Sequence, residues 1–439
     1  MLRKLIIACG LLFGLQAMAH AQETISPALR TSTEIMNGFM DLRFGMFIHW
    51  GPVTLKGTEI GWSRGTQVPV KVYDNLYKKF DPVLFNADTW VKTAKDAGMK
   101  YLVIVAKHHD GFCLWPSSYT DYNIASTPFK KDVVGALAKA CRKQGIKFCI
   151  YYSVLDWHQP DYPYHSPKDS VWDPKSNMGK YIIYMKNQLK ELITRYHPYM
   201  LWFDGNWEKP WTQEEAVNMY QYIKSLDKNV IINNRLGKGD HTKLTPQSVG
   251  DYATPEQKIG TIDMNHPWES CITIGTQWAW KPNDKIKSFR QCIDILANTA
   301  GGNGNLLLNV SPMSNGEIEA RVIKRLKEIG DWMKKYGGAI YDTHGGPYKP
   351  NKIFTSTRKG NEINILLLQP MKGVFTLPAL NGYKVLSAQF MGGAEVKFTQ
   401  DDKGIHLTLP GTLPEENCSV IVLKLNMNTN DIPLIDYND

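Results

Sequence analysis

The chain has 439 residues, 43% of them apolar, and a formal charge of +9. That length and apolar content supply a sizeable core and exclude a disordered or fibrous chain. No lysine- or arginine-rich run interleaves with aromatics, so the basic balance reads as a solvated surface, and no nucleic-acid partner is expected.

The chain opens with Arg3 and Lys4, an apolar stretch over residues 5–15, and Ala19-His20-Ala21 ahead of Gln22. This charged, apolar, small-residue order is that of a secretory signal peptide over residues 1–21. Export is the expectation, to a bacterial periplasm first and the medium second. The stretch is too short for a membrane span, and nothing later approaches one. Losing the leader removes Arg3 and Lys4, bringing the formal charge to +7. Six cysteines follow it, none at a metal-type spacing. Cys141 and Cys149 lie in apolar surroundings typical of buried free thiols.

Residues 45–51 read as a strand. Residues 88–97 read as a helix, with Trp90, Val91 and Ala94 on one face and Gly98 as its stop. Strands at 101–107 and 147–153 bracket a helix at 132–144. A helix at 180–196 leads to a strand at 200–203, a helix at 213–226 and a strand at 230–233. Further on, 271–274 and 305–310 read as strands, with helices at 286–299 and 317–336, the last strongly amphipathic. This rhythm predicts an α/β fold, a (β/α)8-like TIM barrel over residues 22–345. No glycine-rich dinucleotide fingerprint follows the first strand, which argues against an open doubly wound sheet. Beyond Gly345-Gly346-Pro347 the texture changes to short strand candidates at 362–368, 385–390, 394–399, 405–409 and 419–425. With the Asp401-Asp402-Lys403-Gly404 turn they predict a C-terminal antiparallel β-sandwich over residues 346–439.

Polar residues accumulate at the predicted strand ends. In order they are His49 and Trp50; Lys107, His108, His109 and Asp110; Tyr151, Tyr152, Ser153, Asp156 and Trp157; Trp202 and Asp204; and Asn233, Asn234 and Arg235. A lone histidine at a strand end is usually a packed one. Five loaded strand ends on a barrel converge on one bowl. Aromatic faces with imidazole, amide, guanidinium and carboxylate groups suit a sugar, and the chain carries 13 tryptophans. Glycosidic cleavage needs two carboxyl groups. Asp204 is one, and Glu256 and Glu269 are the candidates for the second. A metal reading of His108, His109 and Asp110 is disfavoured because neighbouring strand residues point to opposite faces and no HExxH helix exists. No metal and no cofactor are expected.

Phe44-Gly45-Met46-Phe47-Ile48-His49-Trp50-Gly51, Lys107-His108-His109-Asp110-Gly111-Phe112, Tyr151-Tyr152-Ser153, Trp202-Phe203-Asp204-Gly205 and the segment 301–310 together resemble the α-L-fucosidases of glycoside hydrolase family 29. The resemblance implies a barrel with a β-sandwich and a retaining exo-hydrolase acting on fucosylated oligosaccharides or glycoconjugates. It implies Asp204 as nucleophile and His49, His108, His109, Trp202, Arg235 and Tyr152 as hydroxyl ligands. Phe47, with Trp278 or Trp280, would pack the deoxy methyl group. Glu256 is the carried-over acid/base and Glu269 the runner-up, otherwise a substrate contact. Glu59-Ile60-Gly61-Trp62-Ser63-Arg64 departs from the family's usual Glu-Trp-Tyr segment. Two other classes remain open, an exo-glycosidase for another sugar and a carbohydrate-binding protein without turnover.

Overall fold

The structure, a computed structural model, describes residues 24–437, so the predicted leader lies outside the described residues. Seven strands form one parallel, curled sheet: β1 Phe44–Ile48, β2 Tyr101–Lys107, β3 Lys147–Ser153, β4 Met200–Asp204, β5 Ile231–Ile232, β6 Glu269–Thr273 and β7 Asn305–Val310. Their order is β5-β4-β3-β2-β1-β7-β6. Most strand residues are buried on both faces, as expected where helices cover one side and a second core fills the other. Alternation sorts the side chains. Phe47, Val103, Tyr151, Trp202 and Leu307 pack together on the concave side. Their neighbours Ile48, Ile104, Tyr152, Phe203 and Leu308 join the core beneath the helices.

The covering helices begin where their caps dictate. Asn86, Asp132 and Asn177 each accept a backbone N–H of the first turn. Thr212 with Glu215 and Ser288 with Gln291 form reciprocal capping boxes. Each such cap contributes about 1 kcal/mol.

The edge strands β5 and β6 have a segment between them. Parallel bridges join Asn233 to Tyr252, Ala253 to Trp268 and Glu256 to Cys271. Asn234 N donates to Tyr252 O at 2.9 Å, and Cys271 N to Pro255 O at 3.1 Å. Pro255, which lacks an N–H, fits this irregular pairing. The Thr-Pro-Glu sequence starts no helix.

The C-terminal part holds two antiparallel sheets, one ordered β12-β15-β10-β9-β8 and one β11-β14-β13. Five of these strands fall where the sequence predicts them: β10 Glu362–Leu367, β12 Val385–Phe390, β13 Lys397–Gln400, β14 Ile405–Leu409 and β15 Ser419–Leu425. The helix Thr33–Leu42 and the strands β9 Phe354–Lys359 and β11 Gly373–Leu377 are additions to the predicted set. Charged and polar residues break their apolar pattern. His344–Gly345, β8, pairs with β9, so this sheet starts just before residue 346. Leu366, Leu368, Cys418 and Val420 enter the core beneath the helices. There the Trp332 indole donates to Cys418 O at 3.0 Å. All six described cysteines are free and buried. No helix among the described residues is long and apolar enough to cross a membrane.

Lys107 and Asp156 form an ion pair at 3.0 Å with both side chains almost fully enclosed. Removing one partner strands the other in a dry core. Asp156→Ala should therefore destabilise the protein by about 3–5 kcal/mol, measured by denaturant unfolding. A loss below about 1 kcal/mol would mean that water replaces the carboxylate.

Candidate active site

The strand ends open onto a cavity of about 390 Å³ lined in part by Phe47, His49, His108, Tyr151, Trp202, Asp204, Arg235, Glu256 and Trp278. Asp204 ends β4 on the concave side, two residues after Trp202. Its Oδ1 accepts from Arg235 Nη1 at 3.0 Å and its Oδ2 from the Tyr151 hydroxyl at 3.1 Å. The same Arg235 nitrogen stands 2.9 Å from Glu256 Oε2. The nearest oxygens of the two carboxylates are thus within about 6 Å of each other. Thr254 takes the other donors of the guanidinium, Nε on its hydroxyl at 2.9 Å and Nη2 on its carbonyl at 3.0 Å. Burial alone would lower the Arg235 pKa. Asp204, Cys271 and Glu256 outweigh it, and the pKa ends above its ordinary value. Asp204 is 14% exposed and Glu256 35%, so Glu256 occupies the solvent side.

The imidazoles are neutral. Burial lowers His49 to about 4, against the pull of Asn309 and Asp204. Burial likewise depresses His108 and His109 well below the ordinary value. Asn309 spends its amide N–H on Trp278 O, so its oxygen accepts from His49 Nδ1 at 2.7 Å. Nε2 of His49 is left as an acceptor. His109 Nδ1 lies 2.7 Å from Ser153 Oγ, whose own proton goes to Leu155 O. His109 Nδ1 is therefore the donor, and its bare Nε2 faces Asp204 Oδ2 at 3.7 Å. His109 stands behind the cavity wall, in contact with the wall residue Asp204.

Several predicted residues require correction. Tyr152 does not reach the bowl. Its even place on β3 turns it toward the helices, where its hydroxyl donates to Gln188 at 2.8 Å and its ring receives Lys107 at 4.3 Å. The tyrosine of the bowl is Tyr151. Glu269 is fully enclosed on the concave side, its carboxylate accepting from Trp202 Nε1 at 2.9 Å and Tyr101 OH at 2.6 Å. It lines no part of the cavity, and burial raises its pKa to about 7 against those two hydrogen bonds. Because β2 ends at Lys107, His108 and His109 escape strand alternation, and their rings lie 4.0 Å apart. Among the described residues no group of three or more His, Cys, Asp or Glu could hold a metal ion. Of the two later tryptophans, Trp278 packs on His49 at 4.7 Å, whereas Trp280 donates to Glu319.

The sequence reading also missed Trp62, Trp207, His241 and Cys271, all of which line the cavity. Trp62 and Trp207 stack at 5.8 Å and remain 39% and 47% exposed at its mouth. The departing segment has a clear job. Glu59 accepts the backbone N–H groups of Trp278 and Ala279 at 2.8 and 3.0 Å and so fixes one aromatic wall. Gly61 has φ +66°, and a Cβ there would lie 2.6 Å from His108 Nδ1.

Two close carboxylates in an aromatic bowl with neutral imidazoles define a glycoside hydrolase site. The family model described as Alpha-L-fucosidase matches residues 14–338. The chain belongs to that family, glycoside hydrolase family 29, and is an enzyme. It is 34% identical to α-L-fucosidase isoenzyme 1 from Paenibacillus thiaminolyticus, with TM-score 0.82, over 90% of this chain and 99% of that one. A family 29 α-L-fucosidase from Bacteroides thetaiotaomicron, solved as a trapped covalent intermediate with 2-fluoro-fucosyl fluoride, is 29% identical. Its TM-score is 0.84, with coverage of 92% and 99%. The tissue α-L-fucosidase of Homo sapiens is 28% identical over 86% of this chain and 85% of that protein.

His49 carries a stability consequence. Its folded pKa of about 4 lies below the ordinary 6.5. Between those values the unfolded chain binds a proton that the folded one refuses, so His49 removes stability as pH falls from 6.5 toward 4. His49→Asn should flatten the slope of unfolding free energy against pH in that window by about 1.4 kcal/mol per pH unit. Urea titrations across the window read the slope directly, and an unchanged slope would mean a protonated His49 in the folded state.

Proposed function

We propose that the enzyme is a retaining exo-α-L-fucosidase that releases terminal α-L-fucose from fucosylated oligosaccharides or glycoconjugates by double displacement. Asp204 is the nucleophile and Glu256 the acid/base. The observation that carries this reading is the single Arg235 nitrogen in contact with both carboxylates. Nearest oxygens within about 6 Å of each other support a retaining pair over the wider separation that inversion needs. The covalent intermediate trapped in the Bacteroides thetaiotaomicron relative supports the same route.

In the first step Asp204 attacks the anomeric carbon while Glu256 gives its proton to the leaving oxygen. In the second, Glu256 takes a proton from water, which displaces Asp204. The Tyr151 hydroxyl and Arg235 aim the Asp204 carboxylate. Neutral imidazoles suit a developing cationic sugar better than imidazolium would. The bare Nε2 of His49 accepts a sugar hydroxyl. His109, behind the wall, backs Asp204 with its Nε2 3.7 Å from Oδ2. Phe47 and Trp278 offer apolar ring surface to the deoxy methyl group.

Two finer structural readings accompany this one. Residues 252–256 act as the sixth stave of a closed (β/α)8-like barrel over residues 22–345, supported by their bridges to β5 and β6. The antiparallel sheets of residues 346–439 form its sandwich. The leader-like order of residues 1–21 supports export, to a bacterial periplasm before the medium.

Asp204→Asn should keep the fold and lose turnover of an aryl α-L-fucoside by a factor on the order of 10³ or more. Near-normal rates would remove Asp204 from the mechanism. Glu256→Ala should be slow on natural glycans, whose leaving groups need a proton. With an activated aryl fucoside, azide should rescue it. Azide attacks the anomeric carbon of the fucosyl-enzyme, expels the Asp204 carboxylate and gives a fucosyl azide of retained configuration. NMR of that product decides the point, and rescue of a Glu269 variant in place of Glu256→Ala would reverse the assignment.

A further inference from the structure

We propose that Glu269 is a positioning residue for the reaction, acting through Trp202 on the carboxylate pair. The inference rests on the roles of Asp204 and Glu256 given above.

Glu269 opens β6, and its carboxylate lies on the concave side of the sheet with no exposure. An aromatic core is a poor place for a carboxylate. Buried ionic groups replaced by apolar ones of similar volume often leave stability unchanged or improved, so stability alone gives little reason for an acid here. What the carboxylate does is fix an indole. Oε1 accepts the Trp202 N–H at 2.9 Å, which sets the plane of the ring that forms part of the cavity wall.

Two groups stand on that ring. The Tyr151 ring stacks against it at 5.5 Å and 18°. The guanidinium carbon of Arg235 lies 4.9 Å from its centroid. Tyr151 and Arg235 are the two hydrogen-bond donors to Asp204, and Arg235 is also the partner of Glu256. Both donors that orient the nucleophile therefore rest on the ring whose edge Glu269 holds. A tilt of that ring moves both together, and displacements near 1 Å at a reacting centre cost on the order of 10²-fold in rate.

The second oxygen provides the control. Oε2 accepts from Tyr101 OH at 2.6 Å, and Tyr101 lies at the start of β2, away from the cavity. Removing that hydrogen bond disturbs the same buried carboxylate without freeing the indole.

The test measures kcat and KM for an aryl α-L-fucoside, with the melting temperature, on full-length variants. Glu269→Gln keeps the reach and an acceptor oxygen and should retain kcat within about threefold. Glu269→Asp keeps the charge but withdraws the acceptor by one methylene, and Glu269→Met keeps the volume but accepts nothing. Both should lose about ten- to a hundredfold in kcat, with KM changed less. Glu269→Asp carries the comparison alone if the methionine variant does not fold. Tyr101→Phe should lower the melting temperature and leave kcat within about twofold. A purely structural glutamate would lower melting temperatures and spare kcat throughout. That pattern overturns the proposal, as does a Tyr101→Phe enzyme that loses as much kcat as Glu269→Asp. Asp204→Asn, assayed alongside, separates the two levels. If it is inactive while Glu269→Asp is fully active, the positioning role alone fails; if it is active, the underlying mechanism fails.

Discussion

One guanidinium decides the geometry of this molecule. Arg235 is nearly enclosed and shares a single nitrogen between Asp204 and Glu256. Without it, two carboxylates this close would repel each other. A buried arginine is costly unless every donor is matched. Thr254 matches two more of the arginine's donors with its hydroxyl and carbonyl. Thr254 reaches that place because residues 252–256 lie between β5 and β6, bridged to both. The link that joins the edges of the sheet is thus the link that places the second carboxylate.

Around this charged centre the rest of the bowl is kept uncharged by burial. His49, His108 and His109 lie where desolvation defeats protonation, although Asp204 pulls electrostatically on the first two and stands 3.7 Å from the third. Hydrogen bonds of His49 to Asn309 and of His109 to Ser153 fix which nitrogen of each is bare. The site therefore has two kinds of electrostatics. A fixed ion cluster holds the carboxylate pair, and neutral dipoles line the wall beside it.

The architecture was legible because the β/α rhythm is periodic, and the strand ends because polar residues stop apolar runs. What failed to read was parity. A strand buried on both faces shows no alternation, so Tyr151 and Tyr152 look alike in sequence. Only the registration of Tyr151 with Trp202 and of Ser153 with Asp204 puts the former on the bowl side. His108 and His109 failed for the converse reason, since alternation stops with the strand at Lys107. Residues 252–256 pair too briefly and irregularly to announce a strand. Trp62 and Trp207 are loop residues whose role depends on meeting each other, which no local pattern records.

The two glutamates show what a sequence neighbourhood leaves out. Both follow plausible motifs, and both lie near Arg235, which acts electrostatically on each. Their surroundings divide the labour. An acid/base must gain and lose a proton every cycle, so it needs a route to water and a carboxylate oxygen free for the leaving group. Glu256 has one oxygen on Arg235 and a third of its side chain in solvent. Glu269 has both oxygens occupied by donors and no solvent contact. Solvent access, which spacing along the chain does not encode, separates the two: one carboxyl is open to proton exchange with water, the other is enclosed between two donors.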